Sequence, residues 1–539
     1  MSKFDFNPTK YKKKLIPLLK DLLSITKLDA KKYHQVLRKY PKSKSNLFSK
    51  SEIIAGLRQF HPQKAPQLVK KIIMKPVRTM SGVVPITLLT KPYPCPGQCI
   101  FCPNDPQMPK SYLSAEPGAQ RAAKNQFNPY NQVYSRLQTY YANGHSTDKA
   151  ELIVLGGTWS VYPTAYKIWF IKRCFDALND FQPTKQIKLK KSQVTGTSTW
   201  SALKKSQLKN ETAVTRCIGL SLETRPDFIT KSELINFRKL GCTKVQIGIQ
   251  SLDNQVLKFN QRGHSIKETK QAIQLLRLFG FKIQAHWMAN LYGSSVAKDI
   301  ADFKKLFSDK HYRPDELKIY PTSLLATAKL MDYFNQKLWQ PYTQAQLLKV
   351  LVNILPIVPA YCRVTRMIRD FSSDDIMAGN KATNFRQIVE AKLKKPIQEI
   401  RSREIKQKSV NLQGLSLKAM SYQTSTGAEK FLQFITPANQ IAAFLRLSLP
   451  KSPAVIKQLE NSSIIREIHV YGQALEIGDQ HTKAAQHLGL GTKLIQKAKT
   501  ISKKQGFKKI SVISAIGTKQ YYKNKGFKSG NLYQYSRVD

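Results

Sequence analysis

Between about residues 83 and 366, short apolar or alternating stretches recur with helix-period stretches between them, and this repeat narrows the fold more than any other feature of the chain. The strand candidates are Val83–Leu89, Glu151–Leu155, Cys217–Leu222, Lys244–Gln250, Lys282–Met288 and Glu316–Tyr320. Ser265–Leu278 and Val296–Phe307 are among the helical stretches that separate them. Such alternation predicts an α/β fold around a parallel sheet, open or closed as a partial (βα) barrel. Sites in these folds lie at the C-terminal ends of the strands. Lys185–Asn210, rich in Lys, Ser, Thr and Gln, breaks the pattern and reads as an exposed insertion or loop. Residues 1–75 are basic, with leucines at helical spacing (Leu15, Leu18, Leu19, Leu22, Leu23) behind Lys12, Lys13 and Lys14. They predict a small helical domain whose cationic face is either a solvated cap or an RNA contact. From about residue 410, alternating segments Ile464–Tyr471 and Lys508–Ser514 flank a helical stretch, Leu490–Lys503, as in a separate α+β module. The charged segment before it reads as a linker with helical character. The predicted division is 1–75, basic and helical; 76–370, the barrel; 371–410, the linker; and 411–539, the α+β domain.

The run Cys95-Pro96-Gly97-Gln98-Cys99-Ile100-Phe101-Cys102 follows the first predicted strand, where a site belongs. Four thiolates saturate a [4Fe–4S] cluster. Three on one loop leave an iron open, and an open iron can bind and reduce a small molecule. The ordinary alternative is a zinc knuckle, but zinc sites close with four ligands, and no fourth Cys or His follows nearby. The spacing resembles the signature of radical S-adenosylmethionine (SAM) enzymes.

Lys and Arg number 88 against 34 Asp and Glu, a net charge of +54. Such an excess attracts polyanions, nucleic acid first, although a lysine-rich composition bias can supply part of it. An anionic membrane surface is the weaker reading, because no amphipathic basic helix with bulky aromatics stands out. Leu15-Ile16-Pro17-Leu18-Leu19, cut by Lys20 and Asp21, is too short for a secretory signal or a membrane span. Seven cysteines, three of them clustered, argue for a reducing cytosol over a disulfide framework.

Further motifs fall at predicted strand ends. Gly156-Gly157-Thr158 could receive the amino group of SAM on its backbone, or form only a tight turn. Glu223 and Arg225 in Glu223-Thr224-Arg225-Pro226-Asp227 suit a ribose and a carboxylate, or equally a structural ion pair. Gln250 and Ser251 end the next strand, and Lys318 and Tyr320 a later one. His264, in Gln261-Arg262-Gly263-His264, reads as a phosphate or base contact or as polar surface. Near the C-terminus, Gln486-His487-Leu488-Gly489-Leu490-Gly491-Thr492 opens a helix whose free N–H groups make a pyrophosphate cradle. It is similar to the coenzyme A loop of GNAT acyltransferases. A strand with Arg466–Val470 precedes it, and Tyr521 and Tyr522 follow a further strand. One tyrosine suits a thioester or its departing sulfur, and the other suits core packing.

Together the motifs are identified with one family. CPGQCIFCP (95–103), EPGAQRA (116–122), GHSTDKAELIVLGGT (144–158), CIGLSLETRPD (217–227), GCTKVQIGIQS (241–251), REIHVYGQAL (466–475), QHLGLG (486–491) and KISVISAIGTKQYYKNKGF (509–527) recur in the order of the catalytic subunit of the elongator complex. The chain resembles that family from about Lys75 onward. The resemblance implies a radical-SAM barrel with a C-terminal GNAT domain. It implies that SAM and acetyl-CoA are used to install a carboxymethyl group at carbon 5 of the wobble uridine of tRNA. It assigns Cys95, Cys99 and Cys102 to the cluster and Lys149 to an acetyl-CoA contact. It assigns Glu467, Ile468, His469 and Val470, then Gln486, Gly489, Leu490, Gly491 and Thr492, and Tyr522, to the acetyl-CoA site, with Tyr521 beside it. Gly156, Gly157, Glu223, Arg225, Gln250 and Lys318 remain the SAM candidates. The implied partners are the anticodon loop of tRNA and an electron donor for the cluster; a homodimer and partner subunits both stay open, and no membrane is implied.

Departures from the family pattern keep two alternatives in view, a protein lysine acetyltransferase and a degenerate tRNA-binding paralogue. The family's linker cysteines, which bind a structural zinc, are absent from Ile397-Gln398-Glu399-Ile400-Arg401-Ser402-Arg403-Glu404, so no zinc is expected. The family's Met-Pro-Asp-Leu-Pro is Met288-Ala289-Asn290-Leu291-Tyr292, which removes an acid expected near the barrel mouth. The stretch 371–386 also strays.

Overall fold

Alternation along the strands sets the central sheet. β1 (Val83–Leu89), β2 (Lys149–Leu155), β3 (Arg216–Thr224), β4 (Lys244–Gln250), β5 (Lys282–Ala289) and β6 (Glu316–Pro321) are followed by the short β7 (Leu324–Leu325), β8 (Arg363–Arg366) and β9 (Ile376–Ala378). In this computed structural model, which describes residues 6–73, 79, 81–184, 196–369, 371–382, 384–405, 414–471 and 489–538, the sheet runs β1-β2-β3-β4-β5-β6-β8. All of its pairings are parallel. Its edges β1 and β8 do not pair, so the barrel stays partial. Successive strand residues face opposite sides. Leu152, Val154, Val245, Ile247, Ile283, Ala285, Leu317 and Ile319 lie on the helix-packed face, fully buried or nearly so. The alternate positions, Glu151, Ser221, Lys244, Gln246, Gln284 and Glu316, bond to one another instead. Lys244 Nζ reaches Glu151 at 2.7 Å, Gln246 Nε2 donates to Ser221 Oγ at 2.9 Å, and Gln284 Nε2 donates to Glu316 Oε2 at 2.8 Å. The barrel interior is therefore a polar, hydrogen-bonded filling.

The second sheet contains β10 (Ser416–Thr424), β11 (Gly427–Ile435), β12 (Ile441–Pro450), β13 (Ser462–Val470), β14 (Lys509–Val512), β15 (Lys528–Ser529) and β16 (Gln534–Arg537), in the order β10-β11-β12-β13-β14-β16-β15. β13 and β14 pair in parallel, and the helix Leu490–Lys504 lies between them in the chain. This is the α+β GNAT arrangement. The antiparallel run β10–β12 has no counterpart among the sequence-based strand assignments. One hydrophobic core runs through both sheets, while the N-terminal helices keep a separate core containing Leu15, Leu18, Leu19 and Leu22. Lys12, Lys13 and Lys14 are exposed beside it.

The seam between the sheets is charged. Arg466, fully buried, bonds Asp315 and reaches Glu429 at 3.1 Å. Arg446 Nε meets Glu467 at 2.8 Å, and Lys282 Nζ meets Glu467 at 2.5 Å. Removing one partner from such a network leaves an uncompensated buried charge, which costs about 3–5 kcal/mol.

Two sequence expectations need correction. Lys185–Asn210 is not wholly loop: residues 185–195 lie outside the described residues, but Trp200–Asn210 is a helix. Thr199 caps it, Leu203 and Gln207 are buried on it, and Asn210 donates to Thr215 O at 3.0 Å. Polar composition concealed it because its buried face is itself polar. The linker is only partly helical: Phe385–Lys392 and Ile400–Arg403 are helices, whereas Ile376–Ala378 is a strand. Where the family's thiols are missing, the buried Glu399 carboxylate accepts from Arg386 Nη2 (2.6 Å), Ser402 Oγ (3.1 Å), Val364 N (3.0 Å) and Arg401 N (2.8 Å). Among the described residues no helix is long and apolar enough to cross a membrane.

Candidate active site

Parallel strands give the barrel two unlike rims, and each holds a cavity. At the C-terminal rim, Cys95, Cys99 and Cys102 line one cavity with Gly157, Glu223, Arg225, Gln250 and Lys318. The cysteine loop leaves β1 and is pinned by backbone bonds from Cys102 N to Cys99 O (3.1 Å), Ile100 N to Asn260 O (3.3 Å) and Leu330 N to Ile100 O (2.8 Å). Burial of Ile100 anchors it further. The three cysteines are unbridged. A hydrogen bond from Cys102 and the charge of Arg262 hold the Cys99 thiol well below the usual thiol range despite its burial. The Cys102 thiol is pushed up in exchange.

Among the described residues no three His, Cys, Asp or Glu side chains converge on a single metal ion. Thiols that each bind a different iron need not converge. Three thiols on one cavity wall fit a [4Fe–4S] cluster with one open iron.

Beside the thiols, Glu223 Oε2, Arg225 Nη1, Gln250 Oε1 and Arg262 Nε are buried without a hydrogen-bond partner. Each such atom costs about 1–3 kcal/mol, so their concentration on one cavity marks a site built to receive a polar ligand. Arg225 is aimed by a two-pronged bond to Asp227, 2.9 Å on each arm. Gln250 sits at a left-handed φ of 65° at the end of β4. Burial pushes the Glu223 carboxyl up. It also drives His286, 3.8 Å away, well below the usual histidine range, so these two groups do not form an ion pair at neutral pH. Lys318 Nζ is held by Gln246 Oε1 at 2.6 Å. The two glycines divide their work: Gly157 lines the cavity, whereas a Cβ on Gly156 would strike Thr90 Oγ1. His264 is not surface; it is buried with both ring nitrogens unpartnered, and burial lowers it to about 3. Ser251 caps a turn, accepting from Asp253 N at 3.1 Å.

The N-terminal rim, against the second sheet, holds a cavity of about 400 Å³. Strand starts supply Glu151, Lys244, Lys282 and Glu316, and the second sheet supplies Glu467, Ile468, His469 and Tyr522. Burial acts to raise the Glu467 carboxyl, but Lys282 and Arg446 outweigh it and bring it to about 2. Burial lowers His469 to about 4, so it is neutral, with Nε2 unpartnered. The helix Leu490–Lys504 starts behind Gly489 (φ 68°) with no side-chain cap among the described residues, an N-terminus of the kind that suits an anion. Val470, Leu490, Gly491 and Thr492 do not line the cavity. Gly491 borders it, since a Cβ there would lie 3.7 Å from Ile468 Cδ1 and 2.5 Å from Tyr521 Oη. Tyr522 is both core and cavity wall, packed on Phe527 at 5.5 Å, while Tyr521 is 40% exposed. Lys149 starts β2 next to Asp148 (3.7 Å), two residues before Glu151 at the same rim, without lining the cavity. Gln486 lies outside the described residues.

Sequence reasoning missed the closing wall of the upper cavity. Arg369 stands between the rings of Tyr112 (5.0 Å) and Phe371 (4.5 Å) and donates to Ser111 Oγ at 2.9 Å. Ser111 lies 258 residues from Arg369, beyond the reach of any local spacing. Asn290 is not at the cavity: it takes a left-handed φ of 61° after β5, and its Nδ2 donates to Gln340 O at 3.2 Å. An aspartate there would face a carbonyl oxygen with no proton to share, so this departure follows from local geometry.

Residues 93–294 match the Radical SAM superfamily, and residues 314–395 match the Radical SAM C-terminal domain. The chain is 35% identical over 472 residues to the tRNA uridine(34) acetyltransferase of Dehalococcoides mccartyi, covering 86% of this chain and 99% of the relative. The chain belongs to the tRNA uridine(34) acetyltransferase family. Human Elongator complex protein 3, another member, is 30% identical over 514 residues, 91% of this chain and 90% of that one. An N-terminally deleted Elp3 from the archaeon Methanocaldococcus infernus superposes with a TM-score of 0.71 at 31% identity, covering 85% of this chain and all of that one. The radical-SAM barrel and its companion sheet are thus the family's architecture.

Proposed function

We propose that this protein uses SAM radical chemistry and acetyl-CoA to install a carboxymethyl group at carbon 5 of the wobble uridine, position 34, of tRNA. One observation supports the reading: a three-thiol cavity and a second cavity lined by Glu467, Ile468, His469 and Tyr522 occupy opposite rims of one barrel in a member of this family. When bound and reduced, a [4Fe–4S] cluster with SAM supplies a 5′-deoxyadenosyl radical able to take a hydrogen atom from the acetyl methyl. The methylene carbon would then bond carbon 5 of uracil, with the carbon 5 proton taken by a base and the adduct's extra electron returned to the oxidised cluster, and water would cleave the thioester to leave the carboxymethyl group and free coenzyme A.

The chain's own residues supply binding and orientation. Cys95, Cys99 and Cys102 would hold the cluster. Glu223 Oε2 and Gln250 Oε1 are free acceptors for ribose or amino hydrogens, and Arg225 Nη1 is a free donor for a carboxylate. The backbone at Gly157 admits a close ligand. At the other rim, the N–H groups from Leu490 would take the pyrophosphate, and Tyr522 and the neutral His469 would face the thioester end. The anticodon loop is the accessible part of a tRNA for chemistry on a base, and a chain of net charge +54 suits it. A protein lysine acetyltransferase would leave the upper cavity without work.

Nucleoside mass spectrometry of tRNA from a strain lacking the protein tests the proposal. Loss of carboxymethyl-type wobble uridines, restored by the wild-type chain but not by Cys99→Ala, is the expected result. Unchanged nucleosides would refute it.

A further inference from the structure

Arg262 is buried, yet none of its hydrogen-bond partners is a carboxylate. Its Nη2 donates to Gly248 O at 2.6 Å, and its Nη1 donates to Cys99 Sγ at 3.2 Å. The neighbouring Asp227 is already engaged by both arms of Arg225. The Cys99 sulfur stands where a carboxylate would, so the site suits added negative charge at that sulfur.

The backbone holds Arg262 firmly. Its N–H donates to Leu257 O at 3.0 Å, and Asn260, two residues earlier, accepts from Ile100 N of the cysteine loop at 3.3 Å. Asn260 Nδ2 also donates to Tyr292 O at 2.9 Å. The loop carrying Arg262 is therefore tied directly to the loop carrying the cysteines. Gly248 is part of the device: a Cβ there would come within 2.6 Å of Arg262 Nη2, so only glycine lets the guanidinium lie against the end of β4.

We infer that Arg262 is a positioning residue for the iron–sulfur cluster, which donates a charged hydrogen bond to the Cys99 ligand and favours the reduced cluster over the oxidised one. The inference rests on the proposed radical-SAM function. Reduction adds one electron and so one unit of negative charge, and a fixed cation at a ligand sulfur stabilises the more negative state. The electron comes from the external donor that the function already requires.

The test uses the full chain, reconstituted with iron and sulfide without oxygen, as wild type, Arg262→Gln and Arg262→Lys. Iron content is measured, and the reduced cluster is titrated against potential by electron paramagnetic resonance. The glutamine variant is expected to keep its iron and to show about a tenfold lower reduced-to-oxidised ratio at a given potential, a shift of ~59 mV for one electron. The lysine variant, which keeps the charge without the fork, is expected to fall between. Normal iron content with an unchanged midpoint in Arg262→Gln would overturn the inference. If Arg262→Gln takes up no cluster, recovery of iron in Arg262→Lys supports it, and equal loss in both overturns it. A wild type that takes up no cluster would refute the underlying function, an outcome read separately from either variant.

Discussion

The two rims of the barrel use the same kinds of side chain in opposite ways. At the N-terminal rim the strand-start charges are spent on each other: Lys244 on Glu151 and Glu316, Lys282 on Glu316 and Glu467, and Arg363 on Glu404. At the C-terminal rim Glu223, Arg225, Gln250 and Arg262 each keep an unpartnered buried atom. A paired charge network fixes geometry and joins two sheets. An unpaired one costs stability, and a polar ligand repays that cost. The comparison separates a rim built as scaffold from a rim built as receptor.

The contrast breaks most sharply at the cysteines. Cys99→Ala should abolish cluster assembly and all 5′-deoxyadenosine formation while leaving acetyl-CoA binding within twofold, read by iron analysis, product chromatography and calorimetry. Retained 5′-deoxyadenosine would remove the cysteine loop from the chemistry.

Next comes the scaffold. Arg466→Met removes the cation shared by Asp315 and Glu429 and leaves them only the longer pairs to Arg446 (3.5 Å) and Arg277 (3.6 Å), so unfolding free energy by denaturant titration should fall by about 3 kcal/mol. An unchanged midpoint would mean that the seam network is dispensable. The same network sets an acid limit. Glu467 sits at about 2 in the folded protein against an ordinary 4.5. Its contribution is complete above about pH 4.5 and is lost as pH falls toward 2, on the order of 3 kcal/mol. Glu467→Gln should flatten that acid limb of the stability profile.

A smaller effect tests the receptor rim. Glu223→Gln keeps one acceptor and loses the charge, so SAM affinity should drop about tenfold, or ~1.4 kcal/mol, with acetyl-CoA affinity unchanged. Smallest is Asn290→Asp, which turns a donor toward Gln340 O into an acceptor. It should cost about 1 kcal/mol in thermal unfolding and leave SAM affinity alone.

The barrel was legible in the sequence because its strands alternate strictly: Lys244, Gln246 and Gly248 point one way, Val245, Ile247 and Ile249 the other. The cysteine loop was legible because Cys95, Cys99 and Cys102 fall close together on one loop. β10–β12 were not, since β12 is buried along almost its whole length and carries no alternating signal. Arg262 was quoted in a motif but given no role, because its partner Cys99 is 163 residues away. Tyr112 and Ser111 likewise reach Arg369 only through the closed fold. Asn290 was misjudged for the converse reason: its position near the mouth was legible, but its side-chain direction was not.

The most direct measurement of the central claim is a single assay on the reconstituted, reduced protein supplied with SAM, acetyl-CoA and tRNA. The account predicts 5′-deoxyadenosine together with a carboxymethyl group on the wobble uridine. A protein that holds its cluster and binds SAM, yet forms neither product, would contradict it.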